Sequence, residues 1–442
     1  MKIKNVKIAG GGLAGAEAAL QLAKHGIEVE LYEMRPEKST GAHTSGNFAE
    51  FVCSNSLGAY DTSNASGLLK KETELLGGEL IKTAYQCAVP AGNALAIDRE
   101  LFSKTVTEKI ETCPYITVIR EEVTEIPDGN VIIATGPLTS DALANSIKDF
   151  TESDNLYFFD AIAPIVEKDS IDFDKAFYAN RYDKGDASYI NCPMNKAEYE
   201  KFYDILINAP KIELKSFEKG AKFFESCLPI EVLAARGEDT LRFGPMKPVG
   251  LIDKRTGEEN YAVVQLRQDN SAKTLYNLVG FQTNLKWGSQ KELIHSIPGL
   301  EHANIVRYGV MHRNTFINSP KILTPSLQTR KRENLFFAGQ ITGTEGYTES
   351  IATGLLAGIN MTKYLNNEKP LILPSATVLG ALTKYISNEK HDKFQPINSN
   401  WGILDPIELH KKERKNRKLK AEKMSLRSLE FFNTSEYMIQ VH

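Results

Sequence analysis

A strand, a glycine-rich turn and a helix open this chain, and no other segment restricts its fold as tightly. Lys7-Ile8-Ala9 runs into Gly10, Gly11, Gly12, Leu13, Ala14 and Gly15, and a helix-like stretch then leads to Val29-Glu30-Leu31-Tyr32-Glu33. Gly10 admits a tight turn. Gly12 has no side chain to hold a pyrophosphate off the backbone, and Gly15 lets the helix close on the strand. N–H groups at the helix start then face the phosphates. Glu33 follows Gly15 by 18 positions and places a carboxylate where a ribose diol can donate to it. An ordinary Gly-rich αβ turn is the competing reading. Strand, helix and acid together favour a dinucleotide site.

The motif alone does not separate NAD from FAD, but two later segments favour FAD. Val131-Ile132-Ile133-Ala134-Thr135-Gly136 is an apolar strand ending in small residues, as at the close of a flavoprotein's first domain. Asn334-Leu335-Phe336-Phe337-Ala338-Gly339-Gln340-Ile341-Thr342-Gly343 is another apolar strand running into glycines. Tyr347 to Gly358, rich in Ala, Gly and Ser, reads as a tightly packed helix. In two-part flavin folds such a strand and helix return to the first domain and hold the ribityl chain and ring. Thr135, Gly136, Gly339, Gln340 and Gly343 are therefore candidate FAD contacts. The expected fold is α/β, a Rossmann-like FAD-binding domain built from both ends of the chain with an inserted α+β domain. We place the FAD-binding parts at 1–165 and 304–442 and the insertion at 166–303.

At 442 residues, two domains are the natural expectation. Within the first part, residues 34–66 are polar and too long for a tight connection, and such loops tend to be functional. In the insertion, Tyr199 to Asn208 and Lys291 to Ile297 read as helices, and Tyr261 to Leu266 and Leu278 to Phe281 as strands. A net charge of −3 argues against a wholly basic nucleic-acid binder but leaves room for a local basic face. His410 to Arg427 is such a face in sequence: nine Lys or Arg stand against two Glu. It reads equally as a phosphate-neutralising helix or as a solvated one. The chain begins on the cofactor strand, so no signal peptide is expected. No apolar run approaches the roughly 20 residues of a membrane helix. Five cysteines without C-x-x-C argue against a disulfide framework or zinc ribbon, and a reducing, cytoplasmic setting is expected.

Two cysteines sit in suggestive places. Cys53 lies in Phe51-Val52-Cys53-Ser54-Asn55-Ser56, within the long loop. Cys227 lies in Phe224-Glu225-Ser226-Cys227-Leu228-Pro229-Ile230-Glu231, at an expected strand-to-helix junction where a thiolate is favoured. Taken singly, each is more often a small core residue. Cys87, Cys113 and Cys192 keep that reading. No Ser-His-Asp arrangement stands out, and no metal site is expected. Gly244-Pro245-Met246-Lys247-Pro248-Val249-Gly250 is either a surface turn or a pterin or phosphate contact.

The motifs together resemble the folate- and FAD-dependent tRNA uracil-5-methyltransferases, including their relatives acting on 23S rRNA. The resemblance runs from Gly10 to about Trp401. It is carried by Phe48-Ala49-Glu50-Phe51-Val52-Cys53-Ser54-Asn55-Ser56, Val89-Pro90-Ala91-Gly92, Ala134 to Ser140, Tyr189-Ile190-Asn191-Cys192-Pro193-Met194, Gly244 to Gly250, Val264-Gln265-Leu266-Arg267-Gln268-Asp269, and Tyr308-Gly309-Val310-Met311-His312-Arg313-Asn314. It implies transfer of a one-carbon unit from 5,10-methylenetetrahydrofolate to uridine C5, with FAD and NADH or NADPH as reductant. By the same resemblance, Cys227 adds to uridine C6 and makes C5 a nucleophile, while Cys53 lies near the flavin and assists. A stacked base cannot reach a flavin, so the target must be extruded or come from a loop.

One stretch departs from the family pattern. Where many members carry an Arg-Gly-Asp type sequence and then Thr-Asn-Ala-Val, this chain reads Leu57-Gly58-Ala59-Tyr60-Asp61-Thr62-Ser63-Asn64-Ala65-Ser66. The turn also reads Ala9-Gly10-Gly11-Gly12 in place of Gly-Ala-Gly. The expected target is the T-loop uridine of tRNA, with a 23S rRNA uridine as the alternative. A plain FAD oxidoreductase of a small metabolite is more remote. The basic tail and the lack of a C-x-x-C pair argue against it. Retention of both cysteines argues against a silent RNA-binding relative. Lys286 and Trp287 are candidates for the folate site.

Overall fold

The structure is a computed structural model. It describes residues 5–434 except 41, 153–155, 162, 184–186, 213–227, 254, 258, 310, 392–393 and 410–415, with backbone only at 156–161 and 311–313. Cys227 and the lysines and arginines of 411–415 therefore lie outside the described residues.

Five parallel strands form the first sheet, in the order Leu335–Phe337, Asn130–Ile133, Asn5–Ala9, Glu28–Tyr32 and Ile116–Ile119. Strands from both ends of the chain thus lie side by side, with Ile132 opposite Ile8 on one edge and Phe336 on the other. Such strands are covered on both faces, so they read as unbroken apolar runs. Alternation assigns the faces. Ile8, Leu31, Ile132 and Phe336 join one core, with the helices Leu13–Lys24 and Tyr347–Leu365. Ala9, Val131, Ile133, Leu335 and Phe337 join another, with Leu143 and Ile147 of the helix Asp141–Thr151. This is the α/β fold expected from the sequence.

The helices Leu13–Lys24 and Tyr347–Leu365 touch through small residues. A Cβ on Gly354 would stand 2.2 Å from the Ala14 carbonyl oxygen, and one on Gly358 2.9 Å from the Gln21 side chain. The Ala/Gly-rich composition seen in sequence is what permits this approach.

Residues between the two halves of the parallel sheet build a six-stranded antiparallel sheet. Its order is Phe177–Tyr178, Tyr189–Met194, Ala262–Gln268, Leu275–Leu278, Ile165–Glu167 and Ile305–Arg307. The helix Lys196–Asn208 starts on a capping box of Asn195 and Glu198 and buries Tyr199, Phe202 and Leu206 against this sheet. The strand predicted at Leu278 to Phe281 lies earlier, at Leu275–Leu278, because Gly280 turns into the left-handed region at φ 77°. The helix predicted from Lys291 begins at Trp287 and ends at His295, shortly before Pro298. An antiparallel pair, Leu156–Ala161 with Met311–Phe316, connects the two sheets.

Candidate functional site

At the carboxyl end of the parallel sheet the turn closes as its glycines require. Gly10 has φ 99°, and its N–H donates to the Tyr32 carbonyl oxygen at 2.9 Å. A Cβ there would lie 2.7 Å from the Ala134 carbonyl oxygen, and one on Gly15 would lie 1.8 Å from that of Gly10. Gly12 is the N-cap of the helix Leu13–Lys24. The helix has no side-chain cap and no acid in its first turn, and the space beside Gly12 is open. Uncapped N–H groups and the positive end of the helix dipole fit a pyrophosphate. Gly10, Gly12, Glu33, Arg35, Thr135 and Thr139 are among the residues lining an open cleft here.

Glu33 lies in that wall but is already engaged. Its Oε2 accepts from the Gly11 N–H (3.0 Å) and from Arg35 Nη2 (3.1 Å), and its Oε1 from Arg35 N (3.0 Å) and Nε (2.9 Å). Burial pulls its pKa up, but Arg35 and the backbone donors outweigh that and hold it below the usual carboxylate range. A ribose hydroxyl reaching Glu33 would therefore share it with Arg35. Arg35 also bonds Glu50 at 3.1 Å. His43, in the same wall, is pushed down to about 4 by burial and by Arg35, and is neutral at pH 7.

Thr135 and Gly136 follow the strand Asn130–Ile133; Thr135 Oγ1 lies 2.6 Å from Thr139 Oγ1. From the other end of the chain, Gly339 (φ 78°) meets the first helix: a Cβ on it would stand 2.8 Å from Ala14 Cβ. Its N–H donates to Thr353 Oγ1 at 2.9 Å. Gln340 Nε2 donates to Glu345, and Gly343 packs under Phe394. The structure thus brings Gly10 to Gly15 and Gly339 together.

Cys53 is half-buried, and its N–H donates to the hydroxyl of Tyr347, the first residue of the long returning helix, at 2.7 Å. The Tyr347 ring lies 4.3 Å from that of Phe51. Arg307 Nη2 bonds the carbonyl oxygens of Ala42 and Val52, both at 3.0 Å. A second cleft of about 600 Å³ is lined in part by Phe51, Arg99, Asp269 and Arg307. Cys192 and Cys87 are buried, and burial pushes both thiols up, away from reactivity. The described chain resumes at Leu228, and Ile230 and Ala234 of the helix Ile230–Ala234 are buried in the second core.

The divergent stretch after Cys53 divides in two. Ser66 points inward: its hydroxyl donates to the Leu57 carbonyl oxygen (3.2 Å) and accepts from Lys70 Nζ (3.0 Å). Lys70 is buried, also bonds Leu57 O at 2.7 Å, and is pushed down to about 8 by burial. Tyr60 and Asp61 face outward. The helix Arg417–Phe431 buries Met424, Ser428 and Phe431 and exposes Arg417, Lys418 and Lys420. Lys418 acts electrostatically on Asp61, so this basic face adjoins the outward half of the loop. Trp287 is exposed and stacks on Tyr308 at 5.6 Å.

Sequence reading missed Arg35, Arg267, Arg307 and Tyr347. Arg267 left a signal, since it is a charge within the fully buried strand Ala262–Gln268. Among the described residues, no group of three or more His, Cys, Asp or Glu could hold a metal, and no helix is long and apolar enough to cross a membrane.

The family model of Glucose inhibited division protein A matches residues 5–369. The chain is 57% identical over 418 residues to the methylenetetrahydrofolate–tRNA-(uracil-5-)-methyltransferase TrmFO of Bacillus cytotoxicus, covering 94% of this chain and 96% of that protein. It is 56% identical over 421 residues to the TrmFO of Brevibacillus brevis, covering 95% and 96%. Among solved structures it is similar to Aquifex aeolicus GidA, with a TM-score of 0.70 at 18% identity, over 99% of this chain and 75% of that one. This last likeness bears on the fold.

Proposed function

This chain belongs to the glucose-inhibited division protein A family, in its TrmFO branch, and from that premise we propose that it is a 5,10-methylenetetrahydrofolate- and FAD-dependent RNA (uracil-5-)-methyltransferase. The observation that carries the reading is the 57% identity over 94% of the chain to a protein named for that activity. The T-loop uridine of tRNA is the target we favour. The protein acts in the cytoplasm.

FAD, when bound and reduced by NADH or NADPH, supplies the carrier for the folate-derived methylene and the reducing equivalents that complete the methyl group. The residues have separate tasks. Gly10 to Gly15 and the uncapped helix start take the pyrophosphate, and Gly11 also aligns Glu33 through its N–H. Glu33 takes the ribose; Thr135 lines the same cleft, and Gly136 follows it in the chain. Gly339, Gln340 and Gly343 bring backbone to the ribityl chain and ring. The Cys227 thiolate adds to uridine C6, which makes C5 the nucleophile that accepts the one-carbon unit; the C5 proton then leaves, and the C6–S bond breaks to release the thiolate as the reducing equivalents complete the methyl group. Cys53, held through its N–H by Tyr347, stands at the flavin end and assists. Lys286 and Trp287, beside Tyr308, are candidates for the folate.

The altered loop gives a specific reason to keep a 23S rRNA uridine as the second reading. Its outward half carries Tyr60 and Asp61 where an RNA would approach. One assay tests both readings. FAD, 5,10-methylenetetrahydrofolate and NADH are supplied with unmodified tRNA or, separately, a 23S rRNA fragment, and each product is digested for 5-methyluridine. Product in tRNA alone is expected. Product in rRNA alone would move the target and keep the chemistry, and product in neither would refute the reading.

A further inference from the structure

Two of the motifs that carry the family resemblance, Phe48–Ser56 and Val264–Asp269, lie far apart in the chain and meet at one side chain. Asn55 is fully buried, and its amide is fully bonded. Its Oδ1 accepts from Arg267 Nε at 3.0 Å and from Asn277 Nδ2 at 3.1 Å. Its Nδ2 donates to the carbonyl oxygens of Gln268 (2.8 Å) and Ile97 (2.9 Å). Arg267 and Asn277 are themselves opposite each other on neighbouring strands of the antiparallel sheet. Arg267 is 9% exposed; its guanidinium donates to the amide oxygens of Asn55 and Asn277 and meets the Tyr189 side chain, and Asp269 acts on it electrostatically. The carboxylate of Asp269 is taken by Arg99 (2.8 Å) and Asn277 (3.0 Å). A buried guanidinium N–H is costly to leave unpaired, and Asn55 Oδ1 is the acceptor for Arg267 Nε, so Asn55 is a required partner rather than an incidental one.

Asn55 also completes a series. The Phe51 carbonyl oxygen accepts from Arg99, that of Val52 from Arg307, the Cys53 N–H donates to Tyr347, and Asn55 is clamped by Arg267 and Asn277. The partners come from separate elements: the helix Arg99–Glu111, the strand Ile305–Arg307, the helix Tyr347–Leu365 and the strands Ala262–Gln268 and Leu275–Leu278. A fold that needed only a closed loop would not require five side chains on four residues. Holding a reactive group to a fraction of an ångström does require such a shell.

We propose that Asn55 and Arg267 are positioning residues: the Asn55 amide, gripped by the inserted sheet, fixes where the Cys53 thiol stands relative to the flavin. The docking of the antiparallel sheet is thereby transmitted to the cysteine two residues away. This rests on the reading that Cys53 works beside FAD.

The test uses the full-length, FAD-loaded protein. Cys53 alkylation by iodoacetamide is followed by mass spectrometry of its peptide, and kcat and KM are measured for methyl transfer to tRNA. For Asn55→Ala and for Arg267→Met we expect the flavin spectrum to persist. The alkylation rate changes by about tenfold or more, and kcat falls by a similar factor with KM within about twofold. The double variant is no slower than the worse single one, because both remove one clamp. Alkylation and kcat within about twofold of wild type in variants that keep FAD would overturn the proposal, as would losses that simply multiply in the double variant. Where Asn55→Ala does not fold, Asn277→Ala decides. It removes one of the two donors on Asn55 Oδ1 and is expected to shift the alkylation rate by about threefold, and no shift there counts against the clamp. The alkylation arm needs no RNA or folate. A wild-type protein that alkylates as described yet forms no 5-methyluridine would sink the functional reading and leave the clamp standing.

Discussion

Glu72 ties the C-terminal helix to the cofactor domain, and its titration gives a stability signature that can be calculated in advance. It sits in the helix Ala65–Leu75 and is fully buried. Its Oε1 accepts from Val378 N (2.7 Å) and Ser428 Oγ (2.6 Å), and its Oε2 from Leu379 N (2.9 Å). Burial raises its pKa from 4.5 to about 7 despite these bonds. The folded pKa is above the unfolded one, so the stabilisation is complete below about pH 4.5 and is lost as pH rises through 7. A shift of that size corresponds to about 3 kcal/mol. Glu72→Gln does not titrate, and it leaves unpaired one of the two N–H groups, of Val378 and Leu379, that open the helix Val378–Ile386, at a cost of about 1–3 kcal/mol. The variant should therefore be clearly less stable than wild type at pH 5 and close to it at pH 8. Urea unfolding of the FAD-loaded proteins between those values, followed by circular dichroism, measures the difference, and other titrating groups cancel between the two. A wild-type-minus-variant difference that stays level with pH would refute the reasoning. It would mean that the helix N-terminus and three hydrogen bonds keep the carboxylate charged against desolvation.

Other consequences are more direct. Gly15→Ala forces a Cβ to within 1.8 Å of the Gly10 carbonyl oxygen, so the purified protein should lack flavin absorbance; a yellow variant with normal FAD content would contradict the turn geometry. Cys227→Ala should keep FAD and lose methyl transfer, and wild-type turnover in that variant would end its assignment as nucleophile. Replacing Lys411, Lys412, Arg414 and Lys415 by Gln, or Lys418 and Lys420 on the exposed face of the last helix, should weaken RNA binding and flatten its salt dependence. The slope of log K against log salt should drop by about 0.7–0.9 for each phosphate that the variant no longer neutralises, and an unchanged slope would show that RNA does not rest on that surface.

The sequence was most legible where backbone geometry leaves no choice. Gly10 and Gly15 could be placed from the residues alone because a Cβ at either collides with backbone. The pairing of the chain's two ends was legible too, since strands covered on both faces must be apolar throughout. Glu33 shows the limit of such reading. Its position at the end of the second strand was visible, but its engagement with Arg35 was not, because a contact two residues away carries no periodic signal. The edges of the inserted strands also moved, at Gly280 for a local reason. Arg267 and Asn277 escaped because cross-strand neighbours are set by register, which a single sequence does not display.

Those omissions share a cause. Every missed residue near Cys53 acts from a different element, and each contact spans a long loop in sequence: Tyr347 is 294 residues from Cys53 and Arg267 is 212 from Asn55. Cofactor binding can be written in one short motif because the turn and helix that perform it are contiguous. The environment of the cysteine cannot, since it exists only once the antiparallel sheet has docked and the returning helix has packed Gly354 onto Ala14. In this architecture the glycine-rich turn and the loop that carries Cys53 answer to different constraints. If Asn55 and Arg267 position Cys53 as proposed, a substitution that spares FAD will still displace Cys53, and flavin content by itself will be a poor measure of whether the site is assembled.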